Sequence, residues 1–131
     1  MTEPMPSRTT RQRRAIEDAI SRAGRPLTPA EVLDSARPTS PTLSLATVYR
    51  TLRLLRDAGM VVAVEMPGSP PRYEPSDLSH HHHFKCDRCD RVFDIDGCPG
   101  DLSPMLPAGF TLSGHELLLT GTCASCTGTH P

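Results

Sequence analysis

An α+β fold is predicted by this sequence from two observations. The first is order: three capped, apolar-striped segments between Thr10 and Gly59 precede two β-rich runs at residues 60–66 and 72–74. Three helices followed by a hairpin describe a winged helix-turn-helix. The second is ligand density. His80-His81-His82-His83-Phe84-Lys85-Cys86-Asp87-Arg88-Cys89 runs four histidines into a C-x-x-C pair, and Cys123-Ala124-Ser125-Cys126 supplies a second pair. Two such pairs are the usual way to build a four-thiolate zinc site, so a small zinc-stapled α/β unit is expected after the winged helix.

The elements follow in chain order. Residues 1–9 read as a polar arm carrying Arg8, and Thr10 as the N-cap of a first helix with Ala15, Ile16, Ala19, Ile20 and Ala23 at helical spacing. Gly24 and Pro26 stop it. Thr28-Pro29-Ala30-Glu31 is a capping box with proline at the first helical position, and Pro38 keeps this second helix short. Ser44 opens the third helix, which Gly59 closes. Its expected apolar stripe is Leu45, Val48, Leu52 and Leu55, which leaves Thr47, Tyr49, Arg50 and Arg53 on the other side. Arginine, threonine and tyrosine are what a recognition helix presents to phosphates and base edges. An ordinary amphipathic helix with a solvated basic face is the plainer alternative. The sequence of capped helices and wing favours DNA.

Pro67-Gly68-Ser69-Pro70-Pro71 is expected to form the hairpin turn, and residues 76–79 a hinge. If the histidine run is a strand, His80 and His82 face one way and His81 and His83 the other, so one strand can serve two metals. Arg91-Val92-Phe93-Asp94-Ile95-Asp96 alternates like a strand. One or two helical turns are expected near residues 102–106, strand structure across residues 109–121, and fraying at the C-terminal end.

Composition supports the same division. The 131 residues include 14 prolines, no tryptophan, three phenylalanines and two tyrosines, so aromatic bulk is scarce and a metal staple would matter. Residues 1–75 carry 11 arginines against 8 acidic groups, whereas residues 76–131 carry 3 basic against 7 acidic groups. A basic first half suits phosphates and an acidic second half suits cations. The sequence has no signal-peptide pattern and no run of transmembrane length, and its five cysteines suggest metal ligation in a reducing compartment. A cytoplasmic protein is the expectation. No thioredoxin-like strand–helix context surrounds either C-x-x-C, and no Ser-His-Asp or phosphate-loop pattern occurs, so no enzyme is predicted.

Leu45-Ala46-Thr47-Val48-Tyr49-Arg50-Thr51-Leu52, the histidine run leading to Cys86-x-x-Cys89, Gly109-Phe110 ahead of His115, and Gly121-Thr122-Cys123-x-x-Cys126 occur together in this order. In this the chain resembles, over nearly its whole length, the ferric uptake regulator superfamily of metal-sensing repressors. The resemblance implies a winged-helix DNA-binding domain over residues 1–75, a hinge over 76–79 and a dimerisation domain over 80–131. It further implies a homodimer that binds a palindromic DNA operator and represses metal-uptake genes when loaded with Fe(II), Mn(II) or Zn(II). Carried over, Cys86, Cys89, Cys123 and Cys126 match structural zinc ligands. Glu74, His81 and His83 match a hinge sensing site. His80, His82 and His115 match a second site, with Asp101 as the acidic partner. Tyr49 and Arg50, with Ser44, Thr47 and Arg53 beside them and Arg8 on the arm, form the DNA-facing set.

The chain also departs from that pattern. The position where iron-type members add a histidine holds Leu27, and two positions used by zinc-type members hold Val62 and Ser76. Cys98 has no place in the scheme; it could be a substitute ligand or a redox-sensitive thiol, and a small buried residue is the plainer expectation. Two alternatives to a sensor are a DNA-binding or interaction module with structural zinc only, and a peroxide-sensing member of the same family.

Overall fold

A computed structural model describes residues 7–128 and divides the chain into two compact units that meet between Asp77 and Leu78. The polar arm before Ser7 and the end expected to fray, residues 129–131, lie outside the described residues.

The first unit holds helices α1 (Arg8–Ala23), α2 (Pro29–Ala36) and α3 (Leu45–Asp57), then strands β1 (Val61–Met66) and β2 (Ser69–Pro75). The first helix begins earlier than Thr10, because Ser7 is its cap: the Ser7 hydroxyl accepts from the Thr10 amide at 3.1 Å. Arg8 therefore sits in the first helical turn. Gly24 ends α1 in the left-handed region, at φ 65°. The capping box of α2 forms as expected: Glu31 N–H donates to Thr28 Oγ1 at 3.1 Å, and Thr28 N–H donates to Glu31 Oε1 at 3.0 Å. Arg25 adds an ion pair to the same carboxylate at 2.9 Å.

The buried stripe of α3 is Val48, Thr51, Leu52 and Leu55, an i, i+3, i+4, i+7 pattern. Leu45, expected in that stripe, is 41% exposed because it is the first residue of the helix, before the turn that meets the core. Ile16, Ile20, Val32, Leu43, Leu52 and Leu55 make the centre of one apolar cluster with Val61 and Tyr73 of the hairpin. The hairpin turn is tighter than predicted. Only Pro67 and Gly68 (φ +71°) separate the strands, and Pro70 and Pro71 lie within β2. A two-stranded ribbon has outward-facing edges, where a proline's missing N–H costs no ladder bond. Tyr73 also exchanges two backbone hydrogen bonds with Leu27, at 2.8 and 3.0 Å, tying the α1–α2 connection to the wing.

The second unit is a three-stranded sheet in the order β4-β3-β5, from β3 (His82–Cys86), β4 (Val92–Ile95) and β5 (Leu118–Gly121). β4 runs antiparallel to β3 and β5 runs parallel to it. A single 3₁₀ turn covers Ser103–Met105, and a short helix α4 covers Ala124–Thr127. Strand structure expected across residues 109–121 is confined to the four residues that pair with His83–Cys86. Gly109 and Gly114 interrupt the rest. Among the described residues this unit buries only His82, Cys86 and Val92. Three side chains are not a core that orders a sheet unaided.

Candidate metal centres and nucleic-acid face

Each metal-ligand cluster arises from strand alternation and register. Cys86 ends β3 and Cys89 follows in a knuckle that Asp90 closes from the left-handed region (φ 64°), its N–H donating to the Cys86 carbonyl at 3.0 Å. Gly121 lies opposite Cys86 across the parallel pair, so β5 delivers Cys123 to the same place, and Cys123 caps α4, whose first turn carries Cys126. At Gly121 an added Cβ would lie 3.2 Å from Phe84 Cζ, which explains a glycine at this close approach. All four sulfurs lie within 4.8 Å of one another, and Cys89 and Cys123 are 3.8 Å apart. Sulfurs at about 2.3 Å from a tetrahedral zinc are about 3.8 Å apart, so the thiols fit that ion.

The local electrostatics suit a cation too. Amide donation, first from Cys89 and then from Cys123, draws the Cys86 thiol down to about 6 against the opposing effect of burial. Hydrogen bonding to Cys123, then burial and the other two thiols, pushes Cys126 up to about 12. Packed together, the sulfurs resist carrying several negative charges, and a divalent ion removes that conflict. None of the five cysteines is in a disulfide.

On one face of β3, His81 and His83 converge on Asp94. Its Oδ1 lies 3.5 Å from His81 Nε2 and 3.4 Å from His83 Nε2, and Asp94 is the cross-strand partner of His83. His81 Nδ1–H donates to the Ser79 carbonyl at 2.7 Å, which leaves Nε2 as the ligating nitrogen. Asp94 was missed by sequence reasoning, although a carboxylate breaking the apolar run Val92-Phe93-Asp94-Ile95 was its available signal. Glu74 stands on β2 of the first unit, opposite Val62.

On the other face, His80 and His82 share a side, as the alternation predicted, and meet His115, which the resemblance had placed with them, but the fourth member is Cys98. Its Sγ lies 3.3 Å from His115 Nε2, 3.5 Å from His82 Nε2 and 3.7 Å from His80 Nε2. Asp101, expected as the acidic partner, is instead occupied by Ser103: its Oδ1 accepts from the Ser103 hydroxyl at 2.6 Å and amide at 2.9 Å. Those bonds hold its carboxyl below the ordinary value. Cys98 is exposed rather than buried as a small residue would be. Burial, then the charges of the surrounding histidines, lowers the pKa of His82, so its ring favours the neutral form.

In the first unit, the outer face of α3 exposes Tyr49, Arg50 and Arg53. Ser44 and Thr47 spend their hydroxyls locally: Ser44 accepts from the Thr47 amide at 3.2 Å, and Arg50 donates to Thr47 Oγ1 at 3.1 Å. Arg8 reaches Thr42 Oγ1 at 3.5 Å.

A winged helix-turn-helix joined to a unit built around thiolate and imidazole clusters defines a metal-responsive DNA-binding regulator. A profile of the ferric uptake regulator family matches residues 5–119. The ferric uptake regulation protein of Campylobacter jejuni is 30% identical over 122 residues, covering 89% of this chain and 78% of that protein. The transcriptional regulator FurA of Mycobacterium tuberculosis is 34% identical over 124 residues, covering 91% and 82%. The fold is also that of a zinc-bound manganese uptake regulator, with a TM-score of 0.76 at 24% identity over 92% of this chain and 91% of that one. The chain belongs to the ferric uptake regulator family of metal-sensing transcriptional repressors. No helix among the described residues is long and apolar enough to cross a membrane.

Proposed function

We propose that this chain is a cytoplasmic homodimeric repressor that binds a palindromic operator when a divalent ion joins His81, His83 and Asp94, and so controls genes of metal uptake and homeostasis. The observation that carries this reading is the placement of two separate donor clusters on opposite faces of β3, beside a four-cysteine cluster that fits zinc. Cys86, Cys89, Cys123 and Cys126 hold a structural zinc in this reading, and the oxygen–imidazole set holds the exchangeable ion. Carboxylate and imidazole donors without sulfur suit Fe(II), Mn(II) or Zn(II).

Arg50, Arg53 and Tyr49, with Ser44, Thr47 and Arg8, are the DNA-facing residues, and the chemistry asked of them is binding, with no catalytic step. Two reading helices of a two-fold dimer engage a palindrome only when spaced for successive major-groove faces. An ion that favours one relative placement of the DNA-binding units supplies that selection, up to the limit of its differential affinity. Native mass spectrometry of the purified chain, before and after mild chelation, tests the reading together with operator binding by fluorescence anisotropy. The expected result is a dimer that retains one zinc per chain, loses further ions reversibly, and binds DNA only when they are restored. DNA binding that is indifferent to those ions would sink it and leave a zinc-stapled DNA-binding module.

A further inference from the structure

Residues 96–117 pose a structural question. This long connection has one 3₁₀ turn and no buried side chain. Such a segment gains little from apolar burial to offset its ordering entropy. Near its C-terminal end, Leu117 accepts a backbone hydrogen bond from His83 at 3.2 Å, and the connection also meets a cluster of four side chains: His80, just before β3, His82, its first residue, Cys98 near the beginning of the connection and His115 near its end.

The spacing of those four donors is specific. Zinc bonds of about 2.0–2.1 Å to nitrogen and about 2.3 Å to sulfur place tetrahedral neighbours about 3.3 Å apart for two nitrogens and about 3.6 Å for nitrogen and sulfur. His82 Nε2 and His115 Nε2 are 3.2 Å apart. The three nitrogen–sulfur distances, 3.3, 3.5 and 3.7 Å, bracket the second value.

We propose that His80, His82, Cys98 and His115 form a closed four-coordinate site for a zinc-type ion, with Cys98 as its sulfur ligand, and that this ion staples the 96–117 connection to β3. The proposal rests on the reading of His80, His82 and His115 as metal ligands, and adds the ligand that determines the ion class. One thiolate with three imidazoles selects a borderline-soft tetrahedral ion, whereas the Asp94 side of the same strand offers oxygen and nitrogen only. The two faces of β3 therefore sort metals by donor softness. On binding, the Cys98 thiol loses its proton to solvent as the sulfur–metal bond forms. The ring proton of His82 moves from Nε2 to Nδ1, which displaces the 3.2 Å hydrogen bond that Nδ1 now accepts from the Leu117 amide.

Cobalt reports the ligand directly. Exchangeable ions are removed by mild chelation, retention of one zinc per chain is checked by native mass spectrometry, and Co(II) is added back. Wild type is expected to develop a thiolate-to-cobalt charge-transfer band with intense tetrahedral ligand-field absorption. C98A should lose the charge-transfer band, and D101A should keep both. Because C98A can lose the fold of the connection, alkylation of the wild-type chain is mapped by mass in parallel: Cys98 should be labelled after chelation and protected once zinc is restored. Cobalt rebinding without the band, or Cys98 labelled equally with and without zinc, overturns the ligand assignment while leaving the sensor intact. No ion rebinding at all overturns the assignment and the sensor reading together.

Discussion

Asp94 and Cys98 each join a histidine cluster through contacts that run across the sheet or over a long connection. The four cysteines were legible because each pair is a local spacing, and a turn of that length aims two sulfurs at one ion wherever it occurs. The split of the four histidines was legible because alternation is intrinsic to a strand. Asp94 needed the register that sets it opposite His83, and nothing local in the sequence states which residue of β4 lies there. Cys98 displaced Asp101 for a similar reason. The path of an irregular connection is decided by what its ends are tied to, and Asp101 finds a closer partner in Ser103. The role of Asp94 is open to direct trial. D94N keeps the side-chain size and removes the charge that lies 3.4–3.5 Å from two imidazoles. Affinity for the exchangeable ion, measured by competition with a chromophoric chelator, should fall by at least about tenfold, since even an outer partner of a ligand is worth that much. The four-cysteine zinc should be unaffected. Unchanged affinity would remove Asp94 from the ligand set.

At the scale of elements, the helices were read well where their caps are written in the chain. Thr28, Pro29 and Glu31 specify the start of α2 by side-chain chemistry alone, and the capping box is present. The start of α1 went three residues astray because Ser7 and Thr10 are both competent caps, and their hydroxyls lie 2.9 Å apart. Only the hydrogen bond from the Thr10 amide to Ser7 decides between them. In the wing, prolines suggested a loop, but a ribbon edge accepts them. The capping box invites two linked measurements. T28A removes the hydroxyl that accepts the Glu31 amide and should destabilise the first unit by about 1 kcal/mol in urea unfolding. Glu31 adds a pH dependence. Burial alone would raise its pKa, but the Thr28 amide and the Arg25 guanidinium outweigh it and the net shift is downward. A depressed carboxylate stabilises the fold above its unfolded value, about 4.3 for glutamate, and that contribution is lost as pH falls through the lower folded value. E31Q should therefore be less stable than wild type at neutral pH, with the gap closing below about pH 4. A gap that persists undiminished in acid would assign the loss to packing instead of charge.

The two units hold together by different means, and that difference predicts how the whole molecule fails. The first buries an apolar cluster drawn from all three helices and the hairpin, so its stability belongs to its own side chains. In the second, two of the three residues buried among those described, His82 and Cys86, are themselves candidate ligands. A zinc that binds only the folded arrangement contributes its binding free energy to folding, about 10–16 kcal/mol in small zinc-binding peptides. Removing it should unfold the second unit and spare the first. Exhaustive chelation at neutral pH, followed by hydrogen exchange read by mass spectrometry, checks this. Amides of β3, β4 and β5 should lose protection while those of α1 and α3 keep it, and the far-ultraviolet helical signal should largely survive. In the functional reading the same treatment separates the dimer. Each monomer then keeps a recognition helix but meets only half of a palindrome, so operator affinity should drop while weak, salt-sensitive attraction to DNA through Arg50 and Arg53 remains. Simultaneous loss of protection in α1 and α3 would mean that the first unit depends on the second, contrary to its self-contained core. Protection retained in β3 with all zinc gone would mean that the sheet needs no metal, and the staple would have to be sought elsewhere.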